Sequence, residues 1–136
     1  MSHYSIIETE FRDEETLVET LEEMEPGWVG NIERHETAAT LYDYVGHARP
    51  EKAHIIVRRR FVDSMSNDVG FVKEGNSYKA ILSDYDQNIG RGASWLSRVT
   101  QLYAKNKVLK EMKLKGWRLG SQTTTEKGSI KLVLEV

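Results

Sequence analysis

A chain of 136 residues with 39% hydrophobic and 29% charged side chains has the size and composition of one globular domain, with room for one modest core. It contains no cysteine, which excludes disulfides, zinc–thiolate sites and thiol catalysis. A formal net charge of −2 argues against a general nucleic-acid binder, and no segment approaches the roughly 20 apolar residues that cross a bilayer.

The first strand is expected over residues 2–11, with Tyr4, Ile6, Ile7 and Phe11 as its apolar content. Asp13 then offers a carboxylate to the free amides of a helix start, and Glu14 and Glu15 sit at the positive end of the helix dipole. Leu17, Val18, Leu21 and Met24 follow at helical spacing, and Pro26-Gly27 ends the helix. Trp28, Val29 and Ile32 suggest a short strand, and residues 40–45 another. Residues 46–52 read as a loop. Residues 53–61 alternate as a strand, placing Ile55, Val57, Arg59 and Phe61 on one face and His54, Ile56, Arg58 and Arg60 on the other. A hairpin is expected from residues 68–73 and 77–83 across Glu74-Gly75-Asn76.

Residues 84–92 read as a polar loop ahead of a long helix over 93–115. Leu96, Val99, Leu102, Tyr103, Leu109 and Met112 form its buried stripe, which Asn106 interrupts; Gly116 closes it. Strands over 117–122 and 129–136 complete the chain. The order of elements implies a single α+β domain over residues 1–136, an antiparallel sheet of about six to seven strands packed on two amphipathic helices. Val133, Ile56 and Val72 are expected on a sheet face that two helices do not cover, which points to homo-oligomerisation.

Charge is unevenly distributed. Acidic residues crowd the first 25 positions, and basic residues crowd 91–118. Complementary solvated helix faces account for this most simply; a basic docking surface for an anionic partner is the sharper reading. The segment Glu33-Arg34-His35-Glu36 lacks the second histidine of a zinc helix. Asp84, Asp86, Asn88 and Gly90 resemble part of a calcium loop, but Trp95 stands where the bidentate glutamate belongs. No metal, cofactor or catalytic residue is assigned.

Two features suit an anion. Gly90-Arg91-Gly92 lies just ahead of a helix, where backbone amides and the dipole favour negative charge, and Arg91 adds a donor fork. Arg58 and Arg60 on one strand face offer a second cationic surface. The candidate ligand-binding residues are therefore Arg91, Arg58, Arg60 and Trp95.

Several groups of residues resemble a family of small proteins of unknown function encoded in cyanobacterial and red-algal plastid genomes, with bacterial and phage relatives. They are Met1-Ser2-His3, Arg12-Asp13, Val69-Gly70-Phe71 with Tyr78, Trp95-Leu96 with the run Val99 to Ala104, Gly116, and Gly128-Ser129-Ile130 with Leu132 and Val133. The resemblance spans about two-thirds of the chain, and residues 30–65 depart from the pattern; Lys127 replaces an acid. It implies no active site. It suggests an accessory role beside an AAA+ ATPase. The leading expectation is thus a non-enzymatic binding or accessory protein of the cytoplasm, without membrane attachment, that holds a protein partner. A binder or sequestering protein for an anionic, nucleotide-like small ligand is the alternative, and an enzyme with a site assembled only in three dimensions is the third reading.

Overall fold

Asp13 starts the first helix as its side chain requires. In the computed structural model, which describes residues 3–116, 118–124 and 130–135, its Oδ1 accepts from the amides of Glu15 (3.1 Å) and Thr16 (3.5 Å), and Oδ2 accepts from the Thr16 hydroxyl at 2.6 Å. The capped helix α1 (Glu14–Met24) follows strand β1 (Tyr4–Glu8). A 3₁₀ turn at Pro26–Trp28 leads to β2 (Ile32–Tyr42), β3 (Ala48–Val57), the short helix α2 (Arg59–Val62), β4 (Val69–Glu74) and β5 (Ser77–Ser83). A short helix α3 (Asp84–Asn88), the long helix α4 (Ala93–Lys115), β6 (Arg118–Thr124) and β7 (Ile130–Glu135) complete the order.

The fold is α+β. Five strands form one antiparallel sheet in the order β1-β5-β4-β3-β2, while β6 and β7 pair only with each other. The single sheet of six to seven strands expected from the sequence is therefore five strands and a separate hairpin: alternation marks a strand but does not choose its neighbour.

Register decides which face each strand buries. Ile55, Phe71 and Ala80 lie side by side across β3, β4 and β5, and with Val57, Val69 and Leu82 they meet Phe11, Leu17, Val18 and Leu21 from the α1 side and Trp95, Leu96, Val99 and Tyr103 from α4. The two helices are also joined by polar groups. Asn106 Nδ2 donates to Thr20 Oγ1 at 3.0 Å, which explains the break in the α4 stripe. Lys107 pairs with Asp13 at 3.3 Å and Lys110 with Glu19 at 3.0 Å. Part of the charge asymmetry of the sequence is thus settled within the molecule, helix against helix. Leu102 and Leu109, expected in the buried stripe, are half-buried.

The opposite sheet face is covered over β3, β4 and β5, whereas Ile6 of β1, paired with Ile81 on that face, is 59% exposed. Ile56, Gly70 and Ile81 align there, and Ile56 is fully buried beside Tyr4, Leu41, Ala53 and Ile81. The cover is the outer part of the β2–β3 hairpin, which bends at two irregularities in its ladder. A methyl built on Gly70 would stand 2.7 Å from Ala53 Cβ and 3.1 Å from Leu41 Cδ2, so glycine lets the hairpin close on the sheet. Ile56 therefore does not offer the open apolar surface from which self-association was argued. Val72 is half-buried against the same cluster, and the Val133 side chain lies outside the described residues.

Three further expectations change. Residues 48–52, part of the loop expected over 46–52, belong to β3 and include Pro50. The proline is tolerated because β4 pairs with β3 only at Ile55, Ile56 and Val57, leaving the earlier part of β3 with a neighbour on one side. Val29 lies in the turn before β2, not in a strand. Residues 84–88, read as loop, form α3, capped by Ser83 Oγ accepting from the Asp86 amide at 3.1 Å.

Candidate anion-binding cleft

The arginine strand does not continue past Val57. The ladder to β4 ends at the Val57–Val69 pair, and the Asp68 carboxylate turns the chain: Oδ1 accepts from the Arg59 amide and Oδ2 from Arg58 Nη1, both at 2.8 Å. Arg58 and Arg60 consequently do not share a strand face with His54, as the alternation suggested. Arg58 precedes α2, and Arg59 and Arg60 lie on it.

Arg58 is a structural hub. Its Nε and Nη2 donate to the two oxygens of Glu33 on β2, each at 2.9 Å. Nη1 also reaches the Thr40 carbonyl at 2.9 Å, and the guanidinium lies over the Tyr42 ring, 5.7 Å from its centroid. Burial disfavours the charged guanidinium, but its hydrogen bonds to Glu33 and Asp68 outweigh it and raise its pKa. Glu33 shifts downward, chiefly through its bonds to Arg58. Asp68 closes the network: its Oδ2 accepts from the Tyr42 amide at 2.8 Å, and its carbonyl accepts from the Tyr4 hydroxyl at 2.7 Å. Four of the five guanidinium donors are engaged within the protein, so Arg58 organises the surroundings of a site and has little left to give a ligand.

Beside this hub is an open cleft of about 690 Å³, lined by Glu33, Tyr42, Arg58, Arg59, Arg60, Asp63, Ser64 and Asp68. Its size lies within the usual range for small-molecule sites. Among the described residues no ion pair involves the Arg59 or Arg60 guanidinium, in contrast to Arg34, Arg49, Arg58 and Arg91. Arg60 is exposed and rests over the Phe61 ring at 4.7 Å. Arg59 was missed in the sequence because alternation placed it on a buried face among Ile55, Val57 and Phe61. A charged side chain in that register was itself the sign that the strand had ended.

The other two candidates are placed differently. Arg91 donates to Glu25 Oε1 from Nε at 3.2 Å, with Nη2 in ion-pair contact with the same oxygen at 3.1 Å, and its guanidinium covers the Trp28 ring at 5.4 Å. Its side chain is 17% exposed. Trp95 is buried and packs edge-on against Trp28 with centroids 6.0 Å apart. Neither lines the cleft. One bond links the two regions, since Trp28 Nε1 donates to the Phe61 carbonyl at 3.1 Å. The calcium-like loop is also resolved: Asp86 is fully buried and accepts from the Ser83 hydroxyl at 2.7 Å. Among the described residues no three metal-capable side chains gather, and no helix is long and apolar enough to cross a membrane.

The chain is 27% identical over 137 residues to the "Uncharacterized protein ycf35" of Guillardia theta, covering 99% of this chain and 97% of that protein. No solved structure is a significant match. A family model described as "Protein of unknown function (DUF1257)" matches residues 29–133, a span that includes the Arg58 hub and every residue lining the cleft. The chain belongs to the DUF1257 family.

Proposed function

We propose that this protein is a binding protein that receives an anionic group at Arg59 and Arg60. The observation that carries the proposal is the state of those two guanidiniums: they line an open cleft, and among the described residues neither has a carboxylate partner. Arg58 beneath them is already neutralised by Glu33 and Asp68, so the cationic character left for a ligand is that of Arg59 and Arg60. Planar guanidiniums suit phosphate or carboxylate oxygens in paired hydrogen bonds.

Calorimetric titration with ribose 5-phosphate tests the proposal. The wild-type protein binds it, and the Arg59→Ala/Arg60→Ala double variant loses that binding while its thermal unfolding stays close to wild type. Arg91→Ala retains it, because Arg91 is bound to Glu25. Equal affinity of wild type and the double variant would move the site elsewhere on the molecule.

A further inference from the structure

The charge of the cleft is informative beyond its two free arginines. Arg58, Arg59 and Arg60 share the lining with Glu33, Asp63 and Asp68, so cations and carboxylates are equal in formal number. A polyanion would meet Asp63, whose carboxylate, among the described residues, accepts from its neighbours, the Ser64 hydroxyl at 3.3 Å and the Met65 amide at 3.1 Å. Such a site suits one compact anionic group and disfavours a chain of phosphates. A volume of about 690 Å³ also leaves room beside a single phosphate for an uncharged group.

Tyr42 supplies the surface for that remainder. Tyr42 lines the cleft, and the residue is 41% exposed although it belongs to a strand. The Tyr42 backbone is held at both ends by Asp68, its amide donating to Oδ2 at 2.8 Å and its carbonyl accepting from the Asp68 amide at 3.1 Å. One side of the ring is occupied by the Arg58 guanidinium, itself fixed by Glu33, Asp68 and the Thr40 carbonyl. An exposed aromatic ring on an anchored backbone and backed by a cation loses little freedom when a second planar group stacks on it.

We propose that the ligand is a nucleoside monophosphate: a planar base stacked on Tyr42, joined through a sugar to one phosphate held by Arg59 and Arg60. This rests on the anion-binding reading of the same cleft and adds the second half of the ligand. Recognition divides accordingly, with the phosphate supplying attraction and the ring supplying preference for a base.

The experiment compares ribose 5-phosphate with the 5′-monophosphates of adenosine, guanosine, cytidine and uridine, by calorimetry, on wild type, Tyr42→Phe and Tyr42→Ala. At least one monophosphate binds wild type about tenfold or more tighter than ribose 5-phosphate, as expected for one stacked base. Tyr42→Phe keeps that advantage. Tyr42→Ala reduces it to the level of ribose 5-phosphate, whose own affinity is retained and reports that the cleft is still formed. If all four monophosphates bind wild type no better than ribose 5-phosphate, the base-stacking proposal fails and the anion site stands. If the advantage survives in Tyr42→Ala, the base lies elsewhere and the proposal fails. If none of the five compounds binds, the anion-binding reading falls together with it.

Discussion

Arg91 and Glu25, 66 residues apart in the chain, are joined at a single carboxylate oxygen by a hydrogen bond from Nε at 3.2 Å and an ion-pair contact with Nη2 at 3.1 Å. The pair ties the entry of α4 to the end of α1, and the Arg91 guanidinium caps the Trp28 ring. A loop that looks in sequence like an open anion site is thereby a brace between helices.

The first consequence concerns stability. Arg91→Ala removes a charge-assisted hydrogen bond and an ion-pair contact that are mostly shielded from water and uncovers Trp28, so it should cost about 1–3 kcal/mol in urea unfolding. Glu25→Gln should cost part of the same energy, and the double variant less than the sum of the two. Strict additivity would show that the two side chains do not act together.

Gly70 is the second test. Its Cβ-equivalent position is 2.7 Å from Ala53 Cβ, an atom with no rotamer to escape into, and both Leu41 methyls crowd it at 3.1 and 3.2 Å. Gly70→Ala should destabilise by about 1–3 kcal/mol through overpacking. Ala53→Gly in the same chain should return part of that loss by removing the closest atom. No recovery would mean that the hairpin cover, not the single contact, sets the cost.

The buried helix face gives the third. Leu17 is fully buried, whereas Leu102 is half-buried. Leu17→Ala should cost about 2–5 kcal/mol as a core truncation, and Leu102→Ala only about 1 kcal/mol. Equal losses, measured by the same unfolding transitions, would contradict this placement of Leu102.

What the sequence made legible follows from how local each signal is. The Asp13 cap, the Gly75 turn, the Gly116 stop and the apolar positions of α1 rest on neighbours within one or two turns of chain, and all appear where expected. Arg58, Arg60 and Arg91 were visible as cations, but their availability depends on carboxylates 10 to 66 residues away. Arg58 and Arg91 are spent on Asp68, Glu33 and Glu25, and only Arg60 remains open to the cleft with the unforeseen Arg59. Glu33 and Asp68 carry no local mark of their role. Thr16 and Thr20 are fully buried on the polar side of the α1 pattern because Lys110 and Asn106 of α4 give them hydrogen-bond partners, a fact that no helical period contains.

The last prediction is a dependence on pH. Hydrogen bonds from Arg58 hold the Glu33 carboxyl below its ordinary value of 4.5; burial acts in the opposite direction and is outweighed, and His35 adds a bond of the same sign as Arg58 at 2.8 Å. The folded protein therefore binds fewer protons at this position than the unfolded chain does. Stability contributed by Glu33 is complete above 4.5 and is lost as pH falls through the lower folded value. Glu33→Gln removes the contribution at every pH, and Asp68 then remains as the carboxylate on Arg58. The unfolding free energy of wild type should exceed that of Glu33→Gln most clearly near neutral pH, and the difference should shrink once the pH drops below the ordinary carboxylate range. Denaturant unfolding of both proteins across that interval provides the measurement. A difference that stayed constant into strong acid would mean that the Glu33 charge does not support the fold, and that the Arg58 hub is held by Asp68 and the Thr40 carbonyl.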